Sequence, residues 1–211
     1  MTKQHIREVK SRIIKEVREL MPPRPLTPGE CYALAEQQAE LLLRSRGIRH
    51  PHVDLQWMFD LREIEIIGRP RHKMEKLAGA TAFRHNKHFI VINESDVYTR
   101  RRFTLAHEFK HVIDYTARAT IYRGLGFGDK DRQEQQVEGV CNHFAACLLI
   151  PAAMLKRAWL NGVRDLTALA GLFMVSEEAM YRRLKYLGYV SEERDRPFRA
   201  YFRREPVLLT A

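Results

Sequence analysis

The chain has 211 residues and a formal net charge of +10, which suggests one domain, or one domain with an appendage, that could associate with nucleic acid. Its beginning lacks the apolar segment of a signal peptide, and no apolar run approaches the length of a membrane span. The three cysteines, Cys31, Cys141 and Cys147, lack CxxC spacing, which argues against a disulfide framework and favours a reducing, cytoplasmic location.

The first predicted element is an amphipathic helix over residues 6–20, whose apolar residues keep a period of 3.6. A proline-rich segment over residues 21–29 follows and is typical of a linker, so residues 1–29 are interpreted as an appendage. A second helix is predicted over residues 30–46, with Gly47 as its end. The predicted strands cover residues 63–67, 77–83 and 89–92, with a turn at residues 85–87.

Residues 99–115, TRRRFTLAHEFKHVIDY, contain the HExxH pattern as His107, Glu108 and His111. Residues four apart lie one turn apart on the same face of a helix, so the two imidazoles can hold one metal ion. Glu108 then flanks the metal as a candidate general base. Asp114 follows on the same face and could accept the spare N–H of a ligand histidine. Short patterns also occur by chance, so a structural role is the alternative.

A catalytic zinc site with two histidines uses one more protein ligand and leaves one position for water. After a glycine-containing loop over residues 118–130, a helix is predicted over residues 131–150, and one of its faces carries Glu138 among small and apolar residues. A carboxylate in such surroundings is usually paired or bound to a metal, so Glu138 is predicted to be the third ligand. Glu134, one turn earlier, is the alternative.

Three other residues of this helix allow a functional or a structural interpretation. Asn142 could hydrogen-bond a ligand or the substrate backbone, or bridge two helices. Cys141 faces the same way and could bind zinc as a thiolate, although a single cysteine on a packed face is usually an apolar filler. His143 points away from this face and is predicted to lie at the surface.

The C-terminal part is predicted to contain a helix over residues 151–160 and then a helix-turn-helix-like unit. Helices over residues 166–173 and 177–187 form this unit, with a short turn between them. The second helix begins with Glu177 and another glutamate, where a DNA reader usually places its contact residues, and these acids would repel phosphates. A packing role is therefore favoured over DNA binding. The tail is rich in arginine, with a candidate strand at residues 199–202.

Two segments carry a family resemblance. They are RRRFTLAHEFKHVID, at residues 100–114, and the pattern ExxxNxFAAxLLxP, which begins at Glu138. With these segments the chain resembles the ImmA/IrrE family of zinc metallopeptidases. The likeness extends to the predicted hairpin that ends at Asn93 and to residues 166–189, and in all it spans roughly residues 30–189.

The resemblance implies an α+β fold with a zincin-like metallopeptidase core over residues 30–162. This core would combine a small antiparallel sheet, the HExxH helix and the helix that bears Glu138. The C-terminal helix-turn-helix-like unit would occupy residues 163–190, and the basic tail residues 191–211. The chain departs from the family pattern at Lys110, where glycine is frequent, and a cation beside the metal is expected to reach toward solvent.

The resemblance also implies a site in which His107, His111 and Glu138 bind zinc and Glu108 is the catalytic acid/base. Zinc would acidify a bound water and polarise the scissile carbonyl, while Glu108 would pass a proton to the leaving amine. The donor that stabilises the oxyanion stays open, and the candidates are Tyr115, Tyr122 and His143.

The function implied by the resemblance is a zinc-dependent endopeptidase that cleaves a specific regulatory protein. A helix-turn-helix repressor of a mobile element or stress regulon would be such a substrate. One alternative is a DNA-binding transcriptional regulator with a structural zinc site, and another is a partner-binding module without turnover. The expected partner is a protein substrate. Association with a membrane is not expected, and DNA contact is possible but not favoured.

Overall fold

The computed structural model describes residues 12–74 and 77–190, which combine a three-stranded sheet with several helices. The α+β class predicted from the sequence is therefore confirmed. The helices are α1 (residues 12–19), α2 (Pro28–Ser45), α3 (Tyr98–Asp114), α4 (Arg118–Ile121), α5 (Lys130–Leu149), α6 (Ala152–Leu160), α7 (Leu166–Phe173) and α8 (Glu177–Tyr186). The strands are β1 (Ile64–Arg69), β2 (Gly79–Arg84) and β3 (Lys87–Asn93). The predicted tail and its strand at residues 199–202 lie outside the described residues.

The sheet is mixed, and the expectation of an antiparallel sheet was wrong. β3 lies in the centre, antiparallel to β2 and parallel to β1. The β2–β3 turn consists of His85 and Asn86, both left-handed with φ of 49° and 59°, which suits a two-residue hairpin. Sequence patterns predicted this hairpin. The position of β1 on the far side of β3 depends on tertiary packing, which strand patterns do not reveal.

The described part of α1 belongs to the hydrophobic core, although the sequence suggested an appendage. Its buried apolar side chains are Ile13, Ile14 and Val17. Arg18 donates hydrogen bonds to the carbonyl oxygens of Val112 and Ile113, near the C-terminal end of α3. The last carbonyls of a helix have no partner within it, so Arg18 satisfies groups that α3 cannot. α1 thus supports the helix that carries the HExxH pattern.

Local signals explain the ends of several helices. A capping box between Thr27 and Glu30 starts α2, and Gly47 follows its end with φ of +62°. The segment predicted as a loop over residues 118–130 contains the short helix α4. The bounds of α7 are those predicted. The interpretation of α7 and α8 as a helix-turn-helix-like unit stays a prediction, as do the domain boundaries.

The packing of α5 positions the residues that matter for function. α5 lies against both α2 and α3, and α3 also lies against β2 and β3. Phe109 of α3 and Phe144 of α5 are fully buried, and Trp57 meets the Phe109 ring edge-on at 5.6 Å. No single helix in the described part of the chain is long and apolar enough to cross a membrane. Taken together, α5 and α6 have the length and composition of a membrane span, but the pair is bent by 50°.

Candidate metal centre

α3 presents the two histidines of the HExxH pattern on one face. The ring centroids of His107 and His111 lie 5.0 Å apart, and their Nε2 atoms lie 3.2 Å apart. This approach follows from the spacing of four residues, which is slightly more than one helical turn. Both rings are half-buried, so the two nitrogens share a space that solvent can reach.

α5 brings Glu138 to the same point. Its Oε2 lies 3.0 Å from Nε2 of His107, and its Oε1 lies 3.3 Å from Nε2 of His111. Such distances are close to the edges of a tetrahedron whose centre lies about 2 Å from each corner, which is the length of zinc bonds to nitrogen and oxygen. The three donors therefore fit one divalent cation. The Glu138 side chain is 44% exposed, so the cluster is open on this side.

Asn142 sets the orientation of the first imidazole. Its Oδ1 lies 3.0 Å from Nδ1 of His107, and an amide oxygen can only accept a hydrogen bond. The ring proton of His107 therefore resides on Nδ1, and Nε2 presents a lone pair to the cluster. This hydrogen bond joins α5 to α3, so it is compatible with both interpretations of Asn142 made from the sequence, a contact to a candidate ligand and a bridge between two helices.

The surroundings of His111 are different. Its Nδ1 lies 3.2 Å from Nη1 of Arg118 and 3.7 Å from Sγ of Cys141. Arginine only donates, so Nδ1 accepts in this arrangement and the ring proton resides on Nε2, facing Glu138. A cation held through Nε2 would require the ring proton on Nδ1, where Cys141 Sγ could accept it and Arg118 would have to move away. Burial, followed by the charges of His107 and Arg118, lowers the pKa of His111 to about 4, which favours the neutral ring that a metal requires.

Glu108 is held in place from the sheet. Its carboxylate is buried and accepts a hydrogen bond of 2.7 Å from the Thr81 hydroxyl on β2. Burial raises the pKa of Glu108 above its ordinary value and the charge of Glu138 adds to this, while the Thr81 hydrogen bond and His107 oppose it. β2 comes this close because residue 79 is glycine: a Cβ there would lie 2.4 Å from Thr104 Cγ2 and 3.1 Å from Glu108 Oε1.

Comparison with known families matches residues 67–185 to the IrrE N-terminal-like domain family, Peptidase_M78. The matched range covers more than half of the chain and includes α3 and α5. The chain belongs to this family. The resemblance drawn from the sequence is thereby confirmed, and Peptidase_M78 membership supports a metallopeptidase that acts on protein.

Two individual proteins illustrate the relationship of this Peptidase_M78 member to known chains. The radiation response metalloprotease IrrE of Deinococcus deserti is 36% identical over 77 residues, which are 35% of this chain and 26% of the relative. A solved structure of a Mycobacterium tuberculosis transcriptional regulator superposes with a TM-score of 0.60 at 18% identity, covering 82% of this chain and 51% of the other. At that identity the likeness shows the fold alone. The chain thus spans about a quarter of the first protein and half of the second.

The alternative ligands predicted on α5 make other contacts. Glu134 forms two hydrogen bonds with Arg118, at 2.5 and 2.7 Å, and through it touches His111 only indirectly. Cys141 has its Sγ within 4.8 Å of ligand nitrogens of His107 and His111. Its Sγ approaches Nδ1 of His111 at 3.7 Å, whereas the Glu138 oxygens lie 3.0 and 3.3 Å from the Nε2 atoms of the two rings. Glu138 is therefore the better third donor.

Two sequence expectations about α3 were wrong. Lys110 does not reach toward solvent but is fully buried, with its Nζ 2.6 Å from Asp114 Oδ1 and 2.7 Å from Gln38 Oε1. Asp114 does not accept from a ligand histidine, because its other oxygen is taken by the Tyr122 hydroxyl. Lys110 and Asp114 are four residues apart on α3, so the two buried charges neutralise each other within one helix.

The structure distinguishes the three candidates for the donor that would stabilise the oxyanion, which are Tyr115, Tyr122 and His143. The hydroxyl of Tyr122 is buried and donates to Asp114, and His143 is buried beside Cys147, not at the surface as predicted. Tyr115 is 49% exposed and stacks at 4.7 Å on Phe83 of β2, so it is the remaining candidate of the three.

Sequence reasoning missed the contributions of Thr81 and Arg118. Thr81 lies on β2, 27 residues before Glu108, and Arg118 begins α4, 7 residues after His111. Neither residue type has a spacing signal that marks it as functional. Gly79 was a weak signal, since a glycine inside a predicted strand often marks a close approach of another group.

Proposed function

We propose that this protein is a zinc-dependent endopeptidase in which His107, His111 and Glu138 bind the metal and Glu108 is the catalytic acid/base. The observation that carries the proposal is the convergence of two imidazole nitrogens and a carboxylate within 3.0–3.3 Å. A buried carboxylate, Glu108, lies on the same helix beside them. Without a metal, the two imidazoles and the carboxylate would face one another and contribute little to stability.

The donor set favours zinc among the common metals. Two neutral nitrogens and one carboxylate oxygen in tetrahedral spacing suit a borderline cation, whereas magnesium and calcium prefer oxygen-rich, higher-coordinate sites. When bound, zinc would lower the pKa of a coordinated water and polarise a carbonyl oxygen. Asn142 would hold the His107 ring so that its lone pair points at the cation.

Glu108 is proposed to move the proton during peptide cleavage. Its carboxylate takes a proton from the attacking water and later gives it to the leaving amine. The raised pKa suits this role, because a carboxylate of ordinary acidity is too weak a base at neutral pH. The Thr81 hydroxyl fixes one oxygen of Glu108 and leaves the other for the water.

The substrate is proposed to be an extended protein segment. Among the described strands β2 pairs only with β3, so its other edge offers backbone groups for a further strand. Thr81 of β2 contacts Glu108, so a segment paired with this edge would pass beside the catalytic residues. A regulatory protein, such as a helix-turn-helix repressor, is the target that we propose from the family resemblance. The three cysteines are all free and buried, in keeping with the proposed cytoplasmic location.

DNA binding is the less favoured alternative. At the start of α8, Glu178 forms a salt bridge of 2.7 Å with Arg182, and Glu177 accepts a hydrogen bond from Thr167. The first turn of this helix therefore exposes acids in the place where phosphate contacts would be made. The similarity to a transcriptional regulator concerns the fold and does not alter this argument.

The proposal is tested with two variants of the purified protein. Glu138→Ala is expected to lose the bound zinc, measured by elemental analysis. Glu108→Gln is expected to keep the zinc and to reduce cleavage of a co-expressed repressor at least about a hundredfold. Glu134→Gln, on the same helix one turn away, is the matched control and should retain metal. Cleavage at the wild-type rate by Glu108→Gln would show that another residue is the base.

A further inference from the structure

A second cluster of metal-ligating side chains lies on the other side of α5. His143 and Cys147 are one helical turn apart, and Glu36 of α2 faces them. One donor atom of each residue lies within 4.8 Å of the donors of the other two. Residues 143 and 147 are rotated by well over 90° from Glu138 around the helix axis, so this cluster is separate from the proposed catalytic centre.

The chemistry of this cluster suits a thiophilic cation. Sγ of Cys147 lies 3.3 Å from Nε2 of His143, and a sulfur and a nitrogen bound to one tetrahedral zinc are about 3.5 Å apart. Burial lowers the pKa of His143 to about 4, so its ring is neutral at neutral pH. The rings of Tyr32 and Tyr186 lie 4.9 and 4.5 Å from the imidazole and hold its orientation.

Arg183 of α8 is the charged neighbour that this site has to accommodate. Its Nη2 lies 3.1 Å from Glu36 Oε1, and its Nε donates to the carbonyl oxygen of Ile150 at 3.2 Å. A carboxylate has two oxygens, so Glu36 can keep this hydrogen bond while the second oxygen turns to a cation. Arg183 also hydrogen-bonds Cys147: burial raises the pKa of that thiol, and the charge and hydrogen bond of Arg183 oppose the rise. Arg183 therefore lies against two of the three proposed ligands and would orient both the carboxylate and the sulfur.

A cavity gives the cluster a route to solvent. It has a volume of about 390 Å³, and its walls include Glu36, Cys147 and Arg183. Glu40, one turn after Glu36 on α2, lines the same cavity. Water from this cavity could take the fourth coordination position.

We propose that Glu36, His143 and Cys147 form a second metal site, which takes a divalent thiophilic cation of the zinc type. The bound cation would link α2 to α5 directly and, through Arg183, to α8. This site does not depend on the proposed peptidase activity, because it shares no residue with the catalytic cluster. Cys147 also distinguishes the two sites chemically, since the catalytic cluster binds through nitrogen and oxygen.

Cobalt(II) titration of the purified full chain tests the proposal. A thiolate bound to cobalt gives an intense near-ultraviolet charge-transfer absorption that nitrogen and oxygen ligands do not give. This band is expected in the wild type and should be lost in Cys147→Ser. It should be retained in the matched controls Cys31→Ser and Cys141→Ser, which change the other two buried cysteines.

A second variant protects the test against misfolding of Cys147→Ser. Glu36 is partly exposed, with 30% of its side chain accessible, so Glu36→Gln should fold and should weaken cobalt binding at the thiolate site at least about tenfold. Zinc binding is expected to fall by one equivalent per chain in Cys147→Ser. The proposal is overturned if the wild type gives no thiolate band, or if Cys147→Ser retains it. Loss of the band in Cys141→Ser would instead assign the thiolate to the catalytic cluster.

Discussion

Replacing Lys110 with methionine would remove one partner of the buried ion pair behind the HExxH helix. Lys110 is fully buried, and Asp114 is 1% exposed. Methionine has nearly the length of lysine without the charge, so the cavity left behind is small. The chief effect is electrostatic, because Asp114 keeps only the Tyr122 hydroxyl among the side-chain donors that the structure describes.

The expected loss is large for a single substitution. Breaking a buried ion pair by removing one partner costs about 3–5 kcal/mol, because a buried charge is left without compensation. For a protein of this size each kcal/mol lowers the melting temperature by about 2–4 °C, so Lys110→Met should lower it by about 6–20 °C. Adding Asp114→Asn should restore more than half of the loss, because a neutral amide still accepts from Tyr122 and no longer needs a cation.

Urea denaturation of the wild type and the variants measures these differences as free energies of unfolding. Lys156→Met, on the exposed face of α6, is the matched control and should change stability by no more than about 0.5 kcal/mol. A loss below about 1 kcal/mol for Lys110→Met would refute the reasoning. A double variant less stable than Lys110→Met would refute it as well, since Asp114 would then be stabilising without its lysine.

Further predictions concern the site, its surroundings and one control position in α7. Gly79→Ala should destabilise the protein by about 1–3 kcal/mol and reduce peptidase activity, because the new methyl group would lie 2.4 Å from a side-chain carbon of α3. Gly171→Ala in α7, with nothing within 4 Å, should instead stabilise it by up to about 1 kcal/mol in the same denaturation assay. Asn142→Ala should weaken zinc binding about 10–100-fold in a competition titration, because His107 loses the acceptor for its Nδ1 proton. In metal-free protein, the free energy of unfolding should decrease as the pH falls from about 6.5 to about 4. Over this range the histidine of the unfolded chain binds a proton, whereas His143 in the folded protein stays neutral because burial lowers its pKa to about 4. His143→Gln should flatten this slope; an unchanged slope would exclude His143 as its source.

Much of the local structure was predictable because short-range rules specify it. Helix starts coincide with capping side chains, as for Asp165 before α7 and Ser176 before α8. The two-residue hairpin turn follows from residues that tolerate a left-handed backbone. The order of the strands and the inclusion of α1 in the core were not predictable, because both depend on which apolar face covers which.

The candidate site also has features that follow from local sequence and features that depend on packing. The approach of His107 to His111 is a property of one helix and follows from their spacing alone. Glu138 was inferred from its apolar surroundings on a separate helix, and the structure brings it within 3.3 Å of both rings. The position of Lys110 was predicted wrongly because a lysine beside a metal motif is normally expected to be solvated. Nothing local in the sequence indicates that an aspartate and a glutamine bind its ammonium group inside the core.

The sequence by itself determined the family, the helix that presents two imidazoles on one face, and the carboxylate that joins them. These properties follow from residue type and from periodicities of a few residues, which operate within one element. Only the tertiary structure decided that Thr81 holds the Glu108 carboxylate, that Arg118 reaches the second imidazole, and that Glu36 lies beside a cysteine and a histidine of α5. Such contacts join different helices and strands, and their distances are set by how these elements pack.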